Sequence, residues 1–255
     1  MKKILNLEKI SLNYHTKSGE IQALKSISFD VLEGEFIAII GPSGCGKTSV
    51  LSIIAGLIKP SDGKVSFDGN QVLNPTQSIG YMLQKDHLFE WRTIEKNTFL
   101  PLEILGLTKD ESKRKNVENL LKKYGLWEFK DSYPHQLSGG MRQRVALIRT
   151  LASSPKLLLL DEPFSALDYQ TRLNVCDDVY KIIKNEKKTA VLVTHDISEA
   201  IALADRIIVL TKRPSTVLNV HVIDTDKSLT PLKRRESDGF SRWFERLWRE
   251  LNYVR

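Results

Sequence analysis

Two textures of apolar spacing divide the chain. In SISFDVL, Ile27, Phe29 and Val31 alternate with polar neighbours, and Val65 and Phe67 do the same in KVSFDG. Period-two alternation predicts half-buried antiparallel strands over the first 70 or so residues. FIAII, KLLLLD, TAVLVTH and RIIVL are short, apolar on both faces and rich in branched residues. Such runs predict buried parallel strands, and helical patterns separate most of them. One of those helices is expected from Thr48 towards Ile58, with Leu51, Ile54 and Ile58 on one side.

Residues 88–154 read as helical. Thr108 with Glu111 has the spacing of a capping box, and Val117, Leu120, Leu121 and Tyr124 follow at helical intervals. The expected fold class is α/β, a mixed-sheet core with an N-terminal antiparallel β subdomain and an inserted α-helical subdomain. The core is expected at 1–87 and 155–223, the helical subdomain at 88–154 and a tail at 224–255. The tail offers one more strand, TVLNVHVI. Beyond a charged link, Phe240, Trp243, Phe244, Leu247, Trp248 and Leu251 form an amphipathic helix with Arg242, Arg246 and Arg249 on its other faces. That stripe fits packing on its own domain, a partner or lipid.

Composition narrows the classes. With 255 residues, 41% hydrophobic, the chain can bury a sizeable core. No apolar run approaches the roughly 20 residues that cross a bilayer. Glu8 and Lys9 interrupt the apolar start, so a signal peptide is not expected. Two cysteines without metal spacing suggest a reducing compartment. The net charge of +7 fits nucleic acid, an anionic membrane or simply a lysine-rich solvated surface, and the scatter of the lysines favours the last.

Between FIAII and the expected helix stands Gly41-Pro42-Ser43-Gly44-Cys45-Gly46-Lys47-Thr48, which fits G-x-x-x-x-G-K-[ST] in its strand–loop–helix context. Glycines let backbone N–H groups wrap a β-phosphate at a helix N-terminus. Lys47 is placed to reach the β- and γ-phosphates, and the Thr48 hydroxyl to ligate magnesium. Cys45, beside that N-terminus, is expected to have a lowered thiol pKa and to react with alkylating agents. LLLLDEP ends an apolar strand on Asp161 and Glu162. Asp161 is expected to hold the magnesium ion through water, and Glu162 to orient or deprotonate an attacking water. In LSGGMRQR, Ser138, Gly139 and Gly140 precede a helix and could grip a second phosphate or merely cap it.

Together, GPSGCGKTS, Gln84, LSGGMRQR, LLLLDEP, SALD and His195 resemble the nucleotide-binding subunit of ATP-binding-cassette (ABC) transporters, over about residues 4 to 250. The resemblance implies a P-loop NTPase (RecA-like) core, an ATPase that takes ATP and Mg2+, and a head-to-tail dimer, expected to be a homodimer, with two nucleotides between its subunits. It implies that Tyr14 stacks on adenine and that Gly41 to Ser49 hold the phosphates. Gln84 would touch magnesium and water, with Thr48 and Asp161 as the other metal ligands. Ser138, Gly139 and Gly140 would close on the partner's nucleotide, Asp168 would cross the dimer, and His195 would hold the γ-phosphate.

QKDHLFEWRTIEKN and PFSALDYQTR are similar to the nitrate, sulfonate and taurine importers. This implies separate integral-membrane permease subunits, an extracytoplasmic solute-binding protein and a place at the cytoplasmic face of the membrane. Leu88, Phe89 and Trp91 stand where such cassettes receive the permease, unless they are core. No nucleic acid partner is expected. The competing readings are a soluble ABC ATPase on a ribosome or nucleic-acid machine, and a non-catalytic nucleotide-dependent scaffold. Two departures are YMLQ before the glutamine and Ser49 where a threonine is common.

Overall fold

The computed structural model describes residues 2–17 and 19–253; residue 1 and residues 254–255 of the expected tail lie outside the described residues. In chain order the strands are β1 (Lys3–Thr16), β2 (Gly19–Leu32), β3 (Phe36–Ile40), β4 (Asp62–Phe67), β5 (Asn70–Gln71), β6 (Ile79–Met82), β7 (Leu157–Asp161), β8 (Thr189–Val193), β9 (Arg206–Leu210) and β10 (Val217–Val222). The helices are α1 (Lys47–Ile54), α2 (Ile94–Ile104), α3 (Glu111–Lys123), α4 (Gly139–Leu151), α5 (Tyr169–Asn185), α6 (Ile197–Leu203), α7 (Pro231–Arg234) and α8 (Asp238–Tyr253). Contacts group them into two compact units, residues 1–76 with 189–255, and residues 77–188.

In the first unit, β1 pairs antiparallel with β2 and β4, and β5 closes a hairpin on β4. The alternation predicted for these segments is the buried face: Ile27, Phe29, Val31, Val65 and Phe67 all point into the core. The same unit carries β3, parallel to β8 on one side and β9 on the other, with β10 antiparallel to β9. Every residue of β3 and β8 is buried, as strands covered on both faces require.

Helix α1 ends at Ile54, so Ile58 lies beyond it. The reason is Gly56, which has φ +74 and whose added Cβ would fall 2.5 Å from the Asn74 backbone. The chain must turn there in a left-handed conformation with no side chain.

In the second unit, β6 runs parallel to β7, from Ile79↔Leu157 to Met82↔Leu160. Helix α4 packs against α2, α3 and α5, with Val145, Ile148 and Leu151 buried. Phe99, Leu102, Val117 and Ala152 form a core among these helices. The cap of α3 is Asp110, whose carboxylate accepts from the Lys113 backbone N–H, and not the expected Thr108. This unit takes in β6, β7 and α5 as well as the helical stretch.

The tail stripe splits. Helix α8 lies against α6, burying Phe240, Trp243 and Leu247, while Phe244 and Trp248 remain 37% and 55% exposed. Nε2 of buried His221, on β10, lies 2.9 Å from the Glu250 carboxylate. No helix among the described residues is long and apolar enough to cross a membrane.

Candidate functional site

In the first unit, the loop Gly41–Gly46 leaves the C-terminal end of β3 and delivers the chain into α1. Gly46 is the N-cap residue, at φ +104, and its added Cβ would meet the Leu24 side chain at 2.8 Å. Only glycine fits both the left-handed turn and the close strand behind it. The Lys47 ammonium is buried and donates to the carbonyls of Gly41 (2.9 Å) and Pro42 (3.0 Å). The amides of the loop and of the helix start, with this cation beside them, suit a chain of phosphates.

Cys45 departs from expectation. It is buried at 1% exposure. Burial pushes its thiol above the ordinary range, and the nearby Lys47 charge and backbone N–H groups only partly oppose that shift. Local sequence placed the thiol at a helix N-terminus; packing removed it from water.

The Tyr14 hydroxyl, on β1, lies 3.0 Å from the Ser49 hydroxyl, and the ring is 38% exposed. Tyr14 thus stands beside the start of α1 and is partly open to solvent. Thr48 is exposed one residue into α1. His195 emerges exposed just past β8, level with the phosphate loop because Ile39 pairs with Val193. Its neighbours are firmly held. Thr194 donates to the Glu199 carboxylate at 2.6 Å, and Asp196 caps α6 through the backbone N–H groups of Ser198 and Glu199.

The second unit holds the carboxylates. Asp161 ends β7, 5% exposed, and accepts from the Tyr81 hydroxyl at 3.3 Å. Glu162 follows with φ +45, a left-handed backbone at a non-glycine residue. Such strain is kept where surrounding structure imposes it, often at reactive sites. Ser165 secures that turn by donating its hydroxyl and its N–H to the Glu162 carbonyl. Gln84 leaves the parallel partner β6 at the same end and donates Nε2 to Ser165 Oγ at 3.3 Å. Gln84 and Glu162 are therefore linked through Ser165. The sequence assigns Tyr81 and Ser165 no role of their own, though Tyr81 opens YMLQ and Ser165 opens SALD.

Ser138 caps α4, accepting from the Met141 N–H at 3.3 Å. A Cβ on Gly139 would lie 3.1 Å from Leu167, and one on Gly140 would lie 2.8 Å from Val175 and 3.4 Å from Thr171. The glycine pair lets α4 start hard against the entry to α5. Asp168 caps α5 there, accepting from the Thr171 N–H at 3.0 Å, and the backbone and side-chain bonds from Thr171 hold its carboxyl below the usual range. Ser138 and Asp168 are both exposed, so two capped helix starts share one surface of this unit. Leu88 is buried, whereas Trp91 is 74% exposed and stacks on Phe89 with ring centroids 4.8 Å apart. Of the expected docking residues, Leu88 is core and Trp91 is surface.

The candidate residues thus fall into two sets: Tyr14, the phosphate loop and His195 in one unit, and Gln84, Ser138 to Gly140, Asp161, Glu162 and Asp168 in the other.

Residues 24–165 match the family model described as ABC transporter. The chain is 46% identical over 249 residues to the ABC transporter ATP-binding protein YtlC of Bacillus subtilis, covering 97% of this chain and 95% of that one. It is 40% identical over 214 residues to the taurine import ATP-binding protein TauB of a Jannaschia species, covering 84% and 80%. Among solved structures it is similar to the dimeric post-hydrolysis state of the ATP-binding cassette MJ0796 bound to ADP and Pi, with a TM-score of 0.73, 33% identity and coverage of 88% and 100%.

Proposed function

This chain belongs to the ABC transporter family, as an ATP-binding, ATP-hydrolysing cassette, and we propose that it powers import of a small solute of the nitrate, sulfonate and taurine class. Its proposed partners are a second identical cassette, separate integral-membrane permease subunits and, through them, an extracytoplasmic solute-binding protein. Its proposed place is the cytoplasmic face of the membrane, held there by the permease. The relatives' import names and the solved cassette dimer support this reading.

The single observation that favours a membrane machine over a ribosome or nucleic-acid machine is Trp91. A tryptophan 74% exposed and stacked on Phe89, a few residues after Gln84, suits an apolar anchor for a partner helix.

The residues divide the chemistry as follows. Lys47 and the backbone N–H groups of Gly41 to Ser49, all but Pro42 carrying one, hold the triphosphate, and Tyr14 stacks against the base. Thr48, Asp161 and Gln84 offer a hydroxyl, a carboxylate and an amide oxygen, the hard donors a magnesium ion takes together with phosphate oxygens. These residues would hold the ion, and its charge would offset that of the phosphates. Glu162 orients or deprotonates the attacking water, and His195 holds the γ-phosphate and that water. Ser138, Gly139 and Gly140 close on the nucleotide of the partner cassette, and Asp168 meets the partner across the dimer. Residues 88–154 are the proposed helical subdomain, 1–87 and 155–223 the core and 224–255 the tail.

The test is purification of the tagged protein from detergent-solubilised native membranes, with the co-purifying chains identified by mass. A polytopic membrane protein in near-equal amount is the expected result. Ribosomal or DNA-bound partners without any membrane protein would assign the chain to the soluble class.

A further inference from the structure

We propose that Asp86 and Arg142 form a strut through which the Phe89–Trp91 segment sets the position of the first turn of α4. Both are positioning residues. The consequence for turnover rests on the function proposed above, in which Trp91 meets a permease and Ser138 serves a nucleotide.

The segment from Asp86 to Thr93 is built as one rigid piece. Fully buried Asn97, on α2, accepts from the Phe89 N–H at 2.7 Å and donates Nδ2 to the carbonyls of Phe89 (3.1 Å), Arg92 (3.0 Å) and Thr93 (3.0 Å). Asp86 Oδ1 accepts from the Leu88 N–H at 3.1 Å and shapes the turn. The other carboxylate oxygen, Oδ2, takes Nε of Arg142 at 2.9 Å and Nη2 at 2.8 Å. Seven residues further along α4, Arg149 donates Nη1 to the His87 carbonyl at 2.7 Å and Nη2 to the Asp86 carbonyl.

Residues seven apart on a helix lie on one face. Arg142 and Arg149 thus grip the segment at two points two turns apart, which fixes direction as well as distance. Arg142 is one turn from Ser138, and its own N–H bonds the Ser138 carbonyl at 3.0 Å. At the N-terminal grip, one carboxylate spans the gap between a surface bearing an exposed tryptophan and a helix start bearing an exposed serine. Asn97 ties Phe89, Arg92 and Thr93 together, so a displacement at Trp91 is passed to α4 at both grips, through Arg149 near its C-terminal end and through the Asp86 carboxylate at its first turn. Arg149 holds only backbone carbonyls, so Asp86 is the one side chain of this segment that the α4 arginines grip.

The test is a cycle of Asp86→Ala, Arg142→Ala and the double variant in the full chain. Hydrogen exchange of the amides of residues 142–146, without nucleotide, reads the strut directly. It is expected to quicken at least about fivefold in each single variant and no further in the double, since coupled sites are not additive. ATPase kcat is expected to fall by a similar factor with KM for ATP unchanged, and Arg142→Lys, which keeps the charge but loses the fork, to recover part of it. Unchanged exchange, additive single effects, or a fall in kcat matched by an equal rise in KM would overturn the strut. Absence of ATPase activity in the unmodified chain would count against the proposed function instead, while the exchange difference would still decide the strut.

Discussion

The ammonium of Lys47 sits 2.9 Å from the carbonyl oxygen of Gly41. A buried cation needs partners, and here it takes them from the loop it would otherwise leave to hold a phosphate. Lys47→Ala removes both roles. ATP affinity should fall at least about tenfold, the scale of one lost charge-assisted hydrogen bond. Titration with a fluorescent ATP analogue checks this, and affinity within twofold of the unmodified chain would remove Lys47 from the phosphate site.

Glu162 is the proposed general base, held at φ +45. Glu162→Gln keeps its size and removes its basicity. Turnover should fall by about 10²–10⁴ with nucleotide affinity retained, and the variant should run as a dimer with ATP. Single-turnover kinetics with sizing chromatography test it. A variant that stays monomeric with ATP and still hydrolyses it would unseat Glu162.

Gly140→Ala places a methyl 2.8 Å from Val175 Cγ2. Overpacking of this kind costs about 1–3 kcal/mol, partly offset by the roughly 1 kcal/mol helix preference of alanine over glycine. The midpoint of thermal unfolding should drop, and Val175→Ala in the same chain should restore part of it. A rise in the single variant would mean that α4 and α5 separate freely here.

Both cysteines are buried, and burial raises the Cys45 thiol. Neither should be alkylated by iodoacetamide at neutral pH on the timescale that labels them in denaturant. Mass analysis of labelled intact protein decides it. Rapid native labelling of Cys45 that ATP blocks would restore the low-pKa thiol that the local sequence suggested.

Burial alone would raise the Glu250 carboxyl, but the bond to His221 and its neighbours' charges hold it below its ordinary value. A depressed carboxylate stabilises the folded state above its unfolded pKa of about 4.3, and that contribution is lost as pH falls through the folded value. Docking of α8 should therefore weaken below about pH 4, and Glu250→Gln should weaken it at neutral pH by about 1–2 kcal/mol. Limited proteolysis of the tail from pH 3.5 to 7 checks both. Identical cleavage of the two proteins throughout would show that the apolar contacts of Phe240, Trp243 and Leu247 suffice.

What the sequence by itself determined is what near neighbours determine. Strand alternation, buried apolar runs, the phosphate loop and the cap residue Ser138 all repeat or act within a few positions, so Ile27 to Val31, FIAII and the helix after Gly46 were legible directly. Tertiary structure decided what depends on residues far apart in the chain. Cys45, at a helix start in sequence, is buried by residues packed over it. Helix α1 stopped short because the Asn74 backbone crosses Gly56. The tail stripe divided into buried and exposed parts because α8 packs one face, against α6 and His221 of β10, and leaves Phe244 and Trp248 outside. Asp86 met Arg142 across 56 positions, and no period or motif in the sequence marks such a pair, because its geometry arises only once α2 and α4 have packed.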